Sequence, residues 1–266
     1  MNSIAVFGGN GFLGRKICEV GVRIGWSVTS LSRSGSAPRP LPNYDNSWME
    51  KVAWQKADLF EPESYKQHLA GKTAVVHSVG ILFENSGYKK ALNGAGNIAS
   101  VARALTGPNP MERTPKNTYA AIQRDSALAA ADTFLDVATP EQKPAFVYIS
   151  ADSSPPGIIP SGYLSTKREA EYQLAQKLNL RSIFMRPAFL YDPNERLSVR
   201  NVLGCVVNVQ NAILERSNSI KLIPFGLDSL FRPAVTTEQV ATTMYRKLEE
   251  GFRGIVPLEE IRKATR

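Results

Sequence analysis

Short apolar runs and helix-period stripes alternate along most of the chain. Ile4-Ala5-Val6-Phe7 is an apolar run that ends in glycines, as a buried strand entering a tight turn does. Phe12, Leu13, Ile17, Val20 and Ile24 then recur at helical spacing, and Gly25 closes the pattern. Residues 26–31 predict a second strand. Residues 52–54 predict a third that runs into Asp58-Leu59, and residues 73–77 a fourth. The Ser/Pro-rich stretch 34–46 reads as a loop, and 82–114 is irregular, with the turn-rich Thr106-Gly107-Pro108-Asn109-Pro110. An Ala-rich helix is expected over 117–137, a strand over 145–150, a helix over 163–178 and a strand over 181–185, stopped by Arg186-Pro187. Amphipathic helices follow at 199–214 and 237–249.

Strands alternating with helices at this spacing predict an α/β fold: a Rossmann-type doubly wound parallel sheet with helices on both faces. No repeat or long linker divides the chain, so residues 1–266 read as one domain, with 188–266 forming most of a small C-terminal substrate lobe.

Composition narrows the classes. Two cysteines are too few for a disulfide framework and fit a reducing compartment. Two histidines and no Cys/His cluster argue against a metal site. The formal charge of +8 favours phosphate-bearing ligands or anionic surfaces, yet no basic run with interleaved aromatics points to nucleic acid. No apolar stretch approaches the ~20 residues of a spanning helix, and no signal or transit peptide is read ahead of the first strand. The 199–214 helix carries Val202, Leu203, Val206, Val209 and Ile213 on one stripe. Two readings stand: a core-facing stripe, or a lipid- or quinone-facing surface.

The segment Gly8-Gly9-Asn10-Gly11-Phe12-Leu13-Gly14 follows the first strand and opens the first helix. Gly8 suits the turn off the strand, Gly11 the close approach of a pyrophosphate, and Gly14 the packing of helix on sheet. The helix N-terminus adds N–H donors and a positive dipole end. Gly8, Asn10, Gly11, Phe12, Leu13 and Gly14 are therefore the expected dinucleotide contacts. The second strand ends Ser32-Arg33-Ser34, with no acid to hold a ribose 2′-hydroxyl. Arg33 pairs naturally with a 2′-phosphate, so NADP(H) is expected rather than NAD(H); the alternative for Arg33 is a solvated loop charge. Asp58 and Leu59 are candidates to border the adenine. His77, Ser78 and Val79 are candidates to line the ribose, unless His77 is a histidine satisfied by backbone partners.

Tyr163 and Lys167 stand four apart and share one helix face. A lysine charge lowers a phenol's pKa and lets tyrosine pass a proton near neutral pH. Ser150, at the end of the preceding strand, is the first candidate to polarise a substrate carbonyl, and Ser153 the second. The alternative for the pair is a surface tyrosine and an exposed lysine.

In this order, the 8–14 loop, Asp58-Leu59, Ser150 and Tyr163/Lys167 resemble the short-chain dehydrogenase/reductase superfamily. Arg186-Pro187-Ala188-Phe189-Leu190-Tyr191 looks like the turn that covers the nicotinamide in its extended and atypical branches, which implies cofactor contacts at Pro187, Ala188 and Phe189. Phe231-Arg232-Pro233-Ala234-Val235 followed by Glu238-Gln239-Val240-Ala241 looks like their C-terminal element. A narrower resemblance rests on Val6-Phe7-Gly8-Gly9-Asn10-Gly11-Phe12-Leu13-Gly14, Ser32-Arg33-Ser34-Gly35, Val76-His77-Ser78, Gly107-Pro108-Asn109-Pro110, Tyr148-Ile149-Ser150-Ala151-Asp152, Ile159-Pro160-Ser161-Gly162-Tyr163 and Ser165-Thr166-Lys167-Arg168-Glu169-Ala170-Glu171. Together these are similar to the fungal mitochondrial atypical reductases of the coenzyme Q biosynthetic complex, over about residues 4–261. The NADPH-binding accessory subunit of respiratory complex I is similar too. The resemblance implies a mitochondrial protein on the matrix side of the inner membrane, with coenzyme Q complex proteins and a quinone-like small molecule as partners. It implies either an oxidoreductase of ubiquinone biosynthesis or a non-catalytic NADPH-binding subunit. One departure stands out. Many superfamily members carry an Asn in the helix before the fifth strand, where this chain has Gln123-Arg124-Asp125-Ser126.

Overall fold

The computed structural model describes residues 2–81, 116, 118–139, 143–153, 161–194 and 232–264. Nine strands are described: β1 Ser3–Phe7, β2 Ser27–Ser32, β3 Val52–Lys56, β4 Ala74–His77, β5 Ala145–Ile149, β6 Arg181–Met185, β7 Leu190–Tyr191, β8 Val235–Thr236 and β9 Gly254–Val256. Helices α1 Phe12–Arg23, α2 Lys66–Leu69, α3 Ser126–Val137, α4 Ser161–Ala175, α5 Thr237–Glu249 and α6 Leu258–Arg262 connect them. A π-helical turn, Ala120–Asp125, leads into α3.

Seven strands form one parallel sheet in the order β3-β2-β1-β4-β5-β6-β9. The chain winds outward from β1 to β3, then crosses back to β4 beside β1. That reversal opens a crevice at the carboxyl ends of β1 and β4, where doubly wound sheets take their ligands. β7 and β8 pair in parallel as a separate two-stranded ribbon.

The strands read as apolar runs because both faces are covered. On one face Ile4, Val6, Val76, Val147 and Met185 meet Ile17, Val20, Val240 and Met244 of α1 and α5. On the other, Ala5, Phe7, Val75, Phe146 and Tyr148 meet Ala130, Phe134, Ala170 and Leu174 of α3 and α4. The alanines of α3 let it lie close to the sheet. Tyr245 of α5 donates to the Ile17 carbonyl at 3.0 Å, and a Cβ at Gly21 would stand 2.2 Å from that phenol oxygen. The start of α5 is fixed by a capping box between Thr236 and Gln239.

The doubly wound sheet is as the sequence predicts. Differences are local. The expected 117–137 helix is a π turn followed by α3. α4 ends at Ala175, not at 178. β9 and α6 lie beyond the last predicted helix. The sequence expectations for 82–114 and 199–214, and the 195–231 part of the lobe, lie outside the described residues.

Candidate cofactor and active site

β1 runs directly into the glycine loop. Gly8 sits at φ +79°, and a Cβ there would meet the Val79 side chain at 3.0 Å and Ser78 Oγ at 3.3 Å. The loop folds back on itself: Gly11 N donates to the Gly8 carbonyl at 2.8 Å. A Cβ at Gly14 would lie 2.0 Å from that same carbonyl, so only glycine lets α1 start this close to the strand. Gly9, to which the sequence assigned no task, has the tightest fit to β2: its Cβ would stand 2.4 Å from Ser30 Oγ. Gly11 caps α1 with no side-chain hydrogen bond, and no acid lies in the first turn. Such an N-terminus offers N–H donors and a positive dipole end to an anion. Leu13 is buried in the core, so its side chain faces away from any ligand and its backbone is what it brings to the loop. Phe12 is partly exposed, with the Arg15 guanidinium 5.8 Å from its ring centroid.

Asn10 ties this loop to the segment after β2 by donating to Ser34 Oγ at 3.1 Å. There Ser32 Oγ accepts from Gly35 N at 3.2 Å. Arg33 is exposed, and among the described residues no hydrogen bond or ion pair engages it. Residues 27–44 contain no acid, so the pocket mouth combines hydroxyls, an amide and a guanidinium. The donor set fits a phosphate. The loop beyond is fastened by a cluster the sequence reading missed. Lys16 is almost wholly buried, donating to Glu19 at 2.7 Å and to the Tyr44 hydroxyl at 3.1 Å, while Tyr44 donates to Glu19 at 2.6 Å. Its only sequence trace is a Lys/Glu pair three apart within an apolar helix pattern.

At the exit of β3, Asp58 Oδ1 accepts from Phe60 N at 3.0 Å and so holds its own turn. Leu59 packs on the core and lines an open cleft of about 280 Å³ with Phe60, Pro62 and Ala129. At the exit of β4, Ser78 donates from Oγ to the Phe7 carbonyl at 2.7 Å, locking the β1 and β4 ends together. Val79 lies against Gly8. His77 requires a correction. It is wholly buried between Phe7 and Tyr148, with Nε2 at 3.0 Å from Ser126 Oγ, so its ring cannot line a ribose. Burial, aided by Lys167, pushes its pKa down to about 3.

α4 brings Tyr163 and Lys167 together. The Lys167 Nζ lies 5.6 Å from the Tyr163 ring centroid and 5.0 Å from that of Tyr148. It donates to the Ile149 carbonyl at 2.7 Å, and a Cβ at Gly80 would be 3.8 Å away. Lys167 is 3% exposed, where an exposed lysine was the competing reading. Burial pushes its pKa down to about 7, against the pull of Glu171 and with the repulsion of Arg168. Tyr119 meets the Tyr163 ring edge-on at 6.0 Å. The 78–80 backbone thus lies between the glycine loop on one side and Lys167 on the other.

Ser150 is not joined to the pair. It is buried, and its hydroxyl accepts from Arg168 at 3.1 Å. Arg168 also donates to Glu171 at 2.7 Å and to the Ala151 and Asp152 carbonyls at 2.8 and 2.9 Å. Arg186 joins Glu171, and Arg232 grips Asp152 with two bonds of 2.6 and 2.8 Å. This arginine network, which the sequence reading did not anticipate, holds the loop after β5. Ser153 is partly exposed. Pro187 is buried and accepts from Asp152 N at 2.9 Å; Ala188 packs on the core; the Phe189 carbonyl accepts from Val235 N at 2.9 Å. Among the described residues no Cys/His/Asp/Glu group is arranged to hold a metal, and no helix is long and apolar enough to cross a membrane.

No family model matches the chain. It is 41% identical, over 279 aligned positions, to the MIOREX complex component 2 of Saccharomyces cerevisiae, covering 98% of this chain and 99% of that one. An uncharacterized chloroplastic protein of Arabidopsis thaliana is 27% identical over 269 positions, covering 98% of this chain and 77% of the relative. Among solved structures, an aldohexose dehydrogenase from Thermoplasma acidophilum superposes with a TM-score of 0.56 at 15% identity, covering 99% and 95% of the two chains. A short-chain dehydrogenase/reductase family oxidoreductase from Burkholderia thailandensis gives 0.60 at 12% identity, covering 97% and 90%. The fold is that of the short-chain dehydrogenases.

Proposed function

We propose a function for this chain from the premise that it belongs to the family of the yeast MIOREX complex component 2: it is an NADP(H)-dependent oxidoreductase of the short-chain type. The observation that carries the reading is the 78–80 backbone, which has the glycine loop on one side and the buried Lys167 beside Tyr163 on the other. Gly8, Gly11 and the uncapped start of α1 hold the pyrophosphate. Asn10, Ser32 and Arg33 hold the 2′-phosphate, with Pro187, Ala188 and Phe189 closing over the far end. The cofactor, when bound, supplies or accepts the hydride. Tyr163 exchanges the proton at its phenol oxygen with a carbonyl or alcohol, and Lys167 lowers the cost of the phenolate and orients the ribose.

The substrate class is a quinone precursor or related carbonyl, and the setting is a multiprotein complex in mitochondria, on the matrix side of the inner membrane. Support for the setting is the similarity to a MIOREX complex component; support for coenzyme Q is the set of local sequence runs given above. The test is Tyr163→Phe in the full chain. NADPH binding should persist while NADPH-dependent reduction of a short-chain quinone falls by about 100-fold or more. Unchanged turnover in that variant overturns the reading.

A second reading, a non-catalytic NADPH-binding subunit, is favoured by one feature: the Ser150 hydroxyl is held by Arg168 and makes no bond to Tyr163 or Lys167. It expects Gly11→Asp to disrupt assembly of the complex, and Tyr163→Phe to change nothing.

A further inference from the structure

The chain that leaves β2 folds back over the end of β3, and this turn gathers more than Arg33. β2 and β3 pair in parallel with Ser32 opposite Lys56, so the two side chains stand on one face of the sheet. The Ser32 carbonyl accepts from Ala57 N at 2.9 Å and from Gly35 N at 3.2 Å. That shared acceptor draws Gly35 onto β3. Gly35 sits at φ +64°, and a Cβ there would stand 2.7 Å from Lys56 N and 2.9 Å from Lys56 Cβ. The stem of Lys56 therefore starts at the 32–35 turn itself.

Ser34, on the same turn, has a fixed role in its hydrogen bonds. Its hydroxyl accepts from Asn10 Nδ2 at 3.1 Å and from Ser36 N at 3.3 Å. A hydroxyl has two acceptor lone pairs and one proton, so both acceptor positions are filled and the O–H is left to donate. Ser32 Oγ, 3.5 Å away, is too far to be a good acceptor for it. Asn10 of the glycine loop thus orients Ser34 as a donor, beside the start of α1 where the pyrophosphate is proposed to bind.

Lys56 is exposed, and among the described residues no hydrogen bond or ion pair engages it. Asp58, two residues on, uses Oδ1 to accept from Phe60 N at 3.0 Å. Residues 27–44 contain no acid. The turn therefore combines an oriented O–H, the Arg33 guanidinium and a lysine rooted in β3, and among the described residues no ion pair neutralises either cation. A phosphomonoester matches this set, with nearly two negative charges at neutral pH and three acceptor oxygens. An unphosphorylated ribose hydroxyl would leave both cations unmatched.

We infer that Lys56 and Ser34 are specificity-determining residues for the 2′-phosphate of the dinucleotide. Lys56 supplies a second cation from β3, and Ser34 supplies the donor that Asn10 orients. The inference rests on the reading of Arg33 given above and extends it: the choice of the phosphorylated cofactor is shared between two strands. One unit charge about 4 Å from another is worth about fivefold in water, and a phosphate carries nearly two. Loss of the Lys56 charge should therefore cost about tenfold.

The test is the Kd of the full chain for NADPH and for NADH, at low and at high salt, in the wild type, Lys56→Met, Lys56→Arg and Ser34→Ala. Methionine keeps the backbone and Cβ on which Gly35 rests, at an exposed position. Lys56→Met should bind NADPH about tenfold more weakly and NADH as the wild type does. Its NADPH affinity should also fall less steeply with salt. Lys56→Arg should keep the preference, and Ser34→Ala should lose about fivefold on NADPH alone. An undiminished preference in Lys56→Met or Ser34→Ala, or an equal loss of both dinucleotides in Lys56→Met, overturns the inference. Should Ser34→Ala fail to fold, Lys56→Met decides alone. The reading of Arg33 fails separately, if the wild type shows no preference or Arg33→Asp leaves it unchanged. A preference lost in Arg33→Asp but kept in Lys56→Met spares that reading and sinks this one.

Discussion

His77 and Lys167 both pack against the Tyr148 ring, and burial makes both costly to protonate. For His77 the sign of the effect is fixed by its folded pKa of about 3 against an ordinary 6.5. Between those values the unfolded chain binds a proton that the folded chain refuses, so stability falls as pH drops from about 6.5 to about 3. The slope from this one group is at most about 1.4 kcal/mol per pH unit. In His77→Leu, the loss of stability between pH 7 and pH 5 should be smaller than in the wild type by about 1–2 kcal/mol, read from urea midpoints. Equal losses in the two proteins contradict the buried, neutral state. The same residue shows how a motif misleads. His77 follows the strand that ends at the crevice, which made it a ribose candidate, but the last residue of β4 points inward and it is Ser78 that turns toward Gly8.

At the scale of elements, the junction of β1 and α1 was legible because each glycine answers a backbone demand that chain order reveals. Gly14 shows how strict that demand is. In Gly14→Ala the new methyl meets the Gly8 carbonyl, a backbone atom with nowhere to go. The expected loss is about 2 kcal/mol or more, a fall in Tm of about 5 °C or more, together with weaker NADPH binding. Thermal melts with and without NADPH check both. The long alternating elements were equally readable, since a sheet covered on both faces writes apolar runs into its strands. What escaped was set by contacts between distant segments. The three residues of β9 carry too short a pattern to announce themselves, and they become a strand because β6 offers an open edge. The π turn spans only Ala120–Asp125, too short a stretch for its period to stand out from that of the α-helix it leads into. The Arg168 network depends on side chains more than 15 residues apart in sequence converging on one loop, so its hold on the Ser150 hydroxyl could not be read from spacing. The Tyr163–Lys167 pair was legible because both members lie on one helix, so no tertiary contact was needed to align them.

Across the whole molecule, the parallel sheet reverses its winding between β1 and β4. Every feature that favours a dinucleotide gathers at that reversal: the uncapped helix, the acid-free loop after β2, the backbone of 78–80 and the buried lysine. Arg232 and Val235 reach back toward the same place, through Asp152 and Phe189. A ligand bound at that reversal would stabilise the fold by mass action. The central claim is that this crevice holds NADP(H), with Arg33 choosing the phosphorylated form. The most direct measurement is the Kd of purified protein for NADPH and for NADH, repeated in Arg33→Asp. The wild type should bind NADPH at least about tenfold more tightly than NADH, a difference of about 1.4 kcal/mol or more, and Arg33→Asp should erase or reverse that preference. Binding of neither dinucleotide, or equal affinities unaffected by Arg33, would contradict the account.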